Sequence, residues 1–284
     1  MLSLPTPGLL ALGVMTCLAS TAFAQERAYF VTYDHYLEEP RELEIGLANT
    51  SGIAKHDQPS YHAPWLELEY GVTGWWTSEL YLEGLTTPHS GGGFTGWRWE
   101  NRFRLLKSEH LLNPVLYVEY ESVNEASRIQ KEIVGSGALS FEEGISHLRG
   151  EHEHELEAKL ILSSTFAGWN VAENFIVERN VTEAEGFELG YAIGASRHLG
   201  RLASATACRL CREAFVAGVE IYGGLGSTKE RGLKDTRHYV APVFAWRVTP
   251  SSTLKASIGL GLTGASEHAL IRVGYAVELP LGEK

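Results

Sequence analysis

Through most of this chain, apolar and polar residues alternate at every second position. In 66–70, Leu66, Leu68 and Tyr70 share one face and Glu67 and Glu69 the other. In 76–83, Trp76, Leu80 and Leu82 oppose Glu79, Tyr81 and Glu83. In 97–105, Trp97, Trp99, Phe103 and Leu105 oppose Arg98, Glu100, Arg102 and Arg104. The same pattern sets Leu156, Ala158, Leu160 and Leu162 against Glu155, Glu157 and Lys159, and Ile271, Val273, Tyr275, Val277 and Leu279 against Arg272 and Glu278. Side chains on a strand point alternately to its two sides, so each segment reads as a strand with one apolar and one charged face. Taken along the whole chain, the rhythm predicts about 12 strands, near 41–50, 63–72, 75–85, 94–105, 114–123, 152–163, 170–180, 186–196, 214–225, 237–247, 252–262 and 268–279. Two segments fit less simply. Glu173 shares a face with Val171 and Phe175, and 237–247 is apolar on both faces. Asn101 also falls on an apolar face, where it needs a partner.

The connections alternate in length. Gly71-Val72-Thr73-Gly74, Phe166-Ala167-Gly168-Trp169 and Thr249-Pro250-Ser251-Ser252 are compact, while 51–62, 86–93, 124–151 and 226–236 are longer and polar. Outer-membrane barrels join their strands by short periplasmic turns and long external loops. An even strand count with the N-terminus inside puts the compact turns on the periplasmic side. The connections at 106–113 and 197–213 are long for such turns, and 263–267 is short for an external loop. Ser127–Val134 could add a helical turn or two within the longest loop.

Residues 1–24 carry no charged side chain and end in Ala22-Phe23-Ala24, a small-x-small cleavage pattern, so they read as a secretory signal ahead of a barrel domain at 25–284. After residue 24 no window offers the roughly eighteen apolar residues that a spanning helix needs. A net charge of −11 argues against nucleic acid as a partner, because phosphate binding needs clustered Lys and Arg. The chain has 3 cysteines and one of them, Cys17, lies in the leader, so backbone pairing and burial must hold the exported domain together.

A soluble sandwich also alternates, but its polar face meets water and favours Lys, Thr and Ser. Here that face is rich in Glu and Arg on neighbouring strands, as in the filled interior of a barrel. Trp65, Trp75, Trp76, Trp97, Trp99, Trp169 and Trp246 lie mostly near strand ends, where an aromatic girdle meets lipid headgroups. A sheet exposed to lipid must close on itself, since an open edge leaves backbone groups unsatisfied in hydrocarbon. The fold expected is an all-β, antiparallel transmembrane β-barrel. The hairpins EYGVTGWWTSELYLEG and ALIRVGYAVEL are similar to those of uncharacterised bacterial outer-membrane proteins. Among these, the chain resembles the phenol-degradation meta-pathway family of barrels. That resemblance implies a transporter-like barrel and carries no functional residue with it.

The inward charges are the main candidates for function. Glu44, Glu67, Glu69, Glu79, Glu83, Arg98, Glu100, Arg102, Arg104, Glu119, Glu157 and Lys159 are expected to line the lumen. They would either select polar solutes through a transverse field or pack the interior shut with ion pairs. His152 and His154 share a strand face and, with His147, are weak metal candidates beside the plainer reading of a solvated loop edge. Cys208 and Cys211 lack the setting of a redox or haem motif and are expected to form a local disulfide. Ser146 precedes His147, so the two would point apart, while Ser196 and His198 share a face at the periplasmic end. Neither completes a catalytic triad. The expectation is a non-enzymatic channel of the bacterial outer membrane, in contact with membrane lipid, with no cofactor, for a small polar or aromatic solute. The alternatives are a non-conducting structural or surface-interaction barrel and, third, a lipid hydrolase.

Overall fold

The computed structural model describes residues 28–55, 60–88, 91–124, 153–182, 186–200, 214–229, 232–233 and 235–282. Residues 1–24, the stretch containing Ser127–Val134, Ser146, His147 and His152, and both Cys208 and Cys211 lie outside them. The strands are β1 (Glu42–Ile53), β2 (Tyr61–Thr73), β3 (Trp76–Thr87), β4 (Gly91–Arg104), β5 (Asn113–Val123), β6 (Glu153–Phe166), β7 (Trp169–Asn180), β8 (Glu188–His198), β9 (Phe215–Ser227), β10 (His238–Thr249), β11 (Ser252–Gly261) and β12 (Ala269–Pro280). Each pairs antiparallel with the next, and β12 pairs back onto β1, so the sheet is a closed 12-stranded barrel. Every segment expected from the alternation becomes a strand, with ends shifted by only a few residues. Among the described residues, no helix is long and apolar enough to cross a membrane.

Closure removes every strand edge, and the alternation then sorts the side chains. The outer surface carries Leu47, Leu116, Leu160, Phe175, Ile258 and Val273, all exposed. So continuous an apolar band fits hydrocarbon and would be an aggregation hazard in water. Two polar residues on that face, Asn101 and Ser78, find partners there. Trp76 Nε1 donates to Asn101 Oδ1 at 3.0 Å, which supplies the partner Asn101 needs, and Trp99 Nε1 donates to Ser78 Oγ at 2.9 Å. Glu173 stays on the outer face between Leu162 and Ile193, near the compact-turn end of β7. Rings gather at that end, with Trp76 stacked on Phe103 and Phe215 stacked on both Phe244 and Trp246. Trp65 departs from the girdle and faces the interior, where it lines a cavity.

Apolar on both faces, β10 finds its explanation inside the barrel. Its inward Ala241, Val243 and Ala245 are buried, the last two against Ala28 and Tyr29 of the segment that precedes β1. That segment runs inside the barrel, and the alternation did not foretell it.

Candidate functional site: the occupied lumen

Residues 28–41 enter the barrel at the compact-turn end, rise to about mid-height and descend to β1. At the way in, the Tyr29 hydroxyl donates to the backbone oxygen and to Oδ1 of Asn170 on β7, both at 3.1 Å. At the apex, the Glu220 carboxylate of β9 accepts the backbone N–H groups of Phe30 (3.4 Å), Val31 (3.0 Å) and Thr32 (3.0 Å). Val31 packs into an apolar cluster with Tyr61, Leu85, Tyr222, Tyr239 and Leu270. On the descent, the Asn174 amide clasps Tyr33 from both sides, accepting its N–H at 2.7 Å and donating to its carbonyl at 2.7 Å. The Tyr33 hydroxyl donates to Glu100 at 2.9 Å. Arg104 donates to the His35 carbonyl at 3.2 Å. The corner into β1 is Arg41, whose φ of 68° lies in the left-handed region that favours glycine. Its N–H donates to the Gly71 carbonyl at 2.8 Å.

Small residues on the wall make room for this plug. A Cβ on Gly194 would stand 2.6 Å from the Tyr29 ring, and one on Gly71 would stand 2.0 Å from the Glu39 carbonyl oxygen. Two cavities flank the plug. One, of about 70 Å³, lies between Phe30–Tyr33 and a wall that includes Trp65, Glu67, Arg98, Lys255 and Arg272. The other, of about 120 Å³, opens between Ala28, Asp34, Asn170, Ser196 and His198. Burial holds the His35 imidazole below its ordinary value, against the pull of Asp34 and Glu109. Burial, reinforced by the charges of Glu69, Glu278 and Glu42, pushes Glu38 up to about 9 in spite of Arg102.

All twelve candidate lumen residues face inward, and strand register sets them in an order that strand patterns alone do not show. Glu278 pairs with Glu44, Glu44 with Glu69, Glu69 with Glu79, and Glu79 with Glu100. Glu100 then pairs with Glu119, Glu119 with Glu157, Glu157 with Glu178, and Glu178 with Glu188. One glutamate therefore stands on each strand from β12 through β1 to β8. Because barrel strands are staggered, this row climbs as a spiral from the compact-turn end, near Pro280, to the first residue of β8 at the opposite end. The arginines do not form an opposing wall, as a transverse field requires. They stand in the neighbouring rows and reach into the glutamates.

Arg102 pairs with Glu69, with Glu100 at 2.7 Å and with Glu79 at 3.3 Å, and its guanidinium lies 5.3 Å from the Tyr33 ring. Arg98 pairs with Glu83 and with Glu119 at 3.0 Å, and lies over Tyr81 at 4.1 Å. Lys159 Nζ is held 3.2 Å from Glu157 and over two rings, Tyr117 at 4.2 Å and Tyr33 at 4.6 Å. Like charges on facing strand positions repel. The cations threaded between them offset that cost. Arg98 thus reaches Glu83 across the β3–β4 hairpin.

His154 sits on the outer face, stacked on Tyr120 with Nδ1 2.8 Å from its hydroxyl. Ser163, His35 and Glu109 come together, with Ser163 Oγ 2.5 Å from His35 Nδ1 and Glu109 3.6 Å from Nε2. Ser163 is 1% exposed and its hydroxyl also accepts the His35 backbone N–H at 2.9 Å, so this trio seats the plug. Sequence reasoning missed the plug, its anchors Asn174 and Glu220, and the Glu121, Glu178 and Glu188 members of the lumen set, and it put Glu155 and Glu278 on charged faces without naming them as lumen candidates. A usable signal was the aromatic run Tyr29-Phe30-Val31-Thr32-Tyr33, too apolar for a solvated arm and outside the hairpin rhythm.

The fold is similar to that of the COG4313 outer-membrane channel from Pseudomonas putida F1, with a TM-score of 0.60 and 9% sequence identity, covering 88% of this chain and 100% of that one. The NanC porin aligns at a TM-score of 0.48 and 10% identity, over 84% of this chain and 100% of that one. At these identities the likeness is one of fold alone, and the second is too distant to carry an argument. The sequence matches no family model and no curated protein, so the link to the phenol-degradation family stays a resemblance.

Proposed function

We propose that this chain is an outer-membrane channel for small polar or aromatic solutes, held closed by residues 28–41 in the conformation described. The observation that carries the reading is a closed barrel with a lipid-compatible outer surface and a charged interior, occupied by a segment and not by packed wall side chains alone. A barrel built only for rigidity needs no separable plug. Here the plug's backbone is held by Glu220 and Asn174, beside side-chain contacts of Tyr29, Val31, Tyr33 and His35. Its fold neighbour is described as an outer-membrane channel, which supports the reading. The membrane lipid around the exposed apolar band is the partner this function requires.

The test is conductance of the purified full chain in planar bilayers, beside solute uptake in liposome swelling. Openings that become more frequent when the plug contacts are weakened support the proposal. Insertions that stay impermeable at every voltage, in both wild type and Glu220→Ala, overturn it. That outcome would leave the non-conducting structural or surface-interaction barrel.

A further inference from the structure

We infer that the glutamate row is a recognition track for organic cations, meaning alkylammonium and guanidinium groups and above all linear molecules that carry several of them. The inference rests on the channel reading for passage, though not for binding.

Continuity is the first ground. Adjacent strands lie about 4.8 Å apart, so a row with one carboxylate on each strand offers regularly spaced acceptors along a path that climbs the wall. The sign of the interior follows the row, with thirteen buried Asp and Glu against five buried Lys and Arg among the described residues. An extended anion would meet net repulsion along this row, while a polycation would meet a carboxylate at each step, some of them shared with Arg98, Arg102 and Lys159.

Second, the chain's own side chains show which groups fit. The Lys159 ammonium sits between a carboxylate and two tyrosine rings, and the Arg98 and Arg102 guanidiniums each combine carboxylates with a ring face. Aromatic faces attract ammonium and guanidinium ions. A hard metal ion has no use for them, since calcium takes 6–8 oxygen ligands.

The third ground is a buried hydroxyl within the row. The Tyr117 hydroxyl is 0% exposed and has no hydrogen-bond partner. It stands among the row beside Glu100, Glu119 and Glu157, and the Lys159 ammonium lies over its ring at 4.2 Å without reaching the hydroxyl. Beside it, Glu119, Glu121 and Glu157 bring carboxylate oxygens within 4.8 Å of one another. Buried polar groups are nearly always paired. An ammonium has several donors and no acceptor, so one placed here would supply the phenol oxygen's missing partner while bridging the carboxylates.

The experiment is calorimetric titration of spermidine into the full-length protein in detergent, with sodium benzoate and calcium chloride as comparison titrants. Saturable spermidine binding with a Kd of about 1 mM or tighter is expected. Tyr117→Phe keeps the ring and loses only an unpartnered hydroxyl, so it should fold as wild type, with unchanged heat-modifiable migration, and bind several-fold more weakly. The double variant Glu119→Gln with Glu157→Gln should lose at least tenfold. No saturable spermidine heat, a Tyr117→Phe titration identical to wild type, or saturation by calcium or benzoate but not by spermidine overturns the inference. Reversal potentials across a KCl gradient separate it from the channel reading. Conductance with anion preference overturns the track and leaves the channel. Spermidine binding without conductance supports the track and overturns the channel.

Discussion

Glu220→Ala is the sharpest perturbation of the plug, because one carboxylate holds three consecutive backbone N–H groups at its apex. Hydrogen bonds to a charged acceptor contribute about 1.5–3 kcal/mol each. Counting the two at 3.0 Å and neglecting the longer one at 3.4 Å, the loss is about 3–6 kcal/mol. Water reaching the orphaned amides from the adjoining cavity of about 70 Å³ offsets part of this, since a bridging water is nearly as good as a direct bond. The lower end, about 3 kcal/mol, is therefore the working figure, and at about 1.4 kcal/mol per factor of ten it shifts the docking equilibrium by roughly a hundredfold. A reporter cysteine placed as Thr32→Cys, in a background where Cys17, Cys208 and Cys211 are serine, reads that equilibrium. Thr32 is 2% exposed while docked, so maleimide can reach it only when the segment leaves. Labelling should accelerate about a hundredfold with Glu220→Ala. Glu220→Gln, which keeps an acceptor oxygen without the charge, should fall between. A folded Glu220→Ala protein that labels at the parent rate would show that Glu220 does not hold the segment, and the argument for a releasable plug would fail with it.

Two further perturbations act at the base of the plug. Gly71→Ala would put a Cβ 2.0 Å from the Glu39 carbonyl oxygen, a backbone atom that cannot rotate aside, so the barrel should form while the base of the segment is displaced. Trypsin cleavage after Arg41, much faster than in wild type with the barrel core intact, is the expected result, and unchanged cleavage would contradict the close approach. Glu38 binds its proton more tightly when docked than when free, because its value is raised to about 9 from an ordinary 4.5. Docking must therefore weaken as pH rises through the window between those values, and Glu38→Gln should flatten that dependence. Labelling of the Thr32→Cys reporter across this range checks both, after correction for the reagent's own pH dependence, and a pH response retained in Glu38→Gln would assign it elsewhere.

How far the site was legible follows from what period-two alternation can carry. Glu79, Arg98, Arg102 and Lys159 could be placed inside because each sits opposite an aliphatic or aromatic neighbour on its own strand, and a closed barrel has only two sides. Asn101 falls outward, and so needs a partner, for the same reason. Alternation fails where a segment is not half in lipid. β10 reads as apolar on both faces because its inner face meets Ala28 and Tyr29 instead of water. The plug itself has no period, since its backbone is satisfied by Glu220 and Asn174 and not by a neighbouring strand.

By itself, then, the amino-acid sequence determined the twelve strands, their closure and which side chains face inward, because these follow from local side-chain direction and from the cost of open edges in hydrocarbon. Tertiary structure alone decided the rest. Which glutamate stands beside which depends on the register between strands, a property of pairs that no single strand encodes. That Tyr29–Tyr33 turns into the lumen depends on cavities opened by Gly71 and Gly194 and on acceptors from strands far along the chain. Long-range geometry of this kind leaves no mark on local alternation.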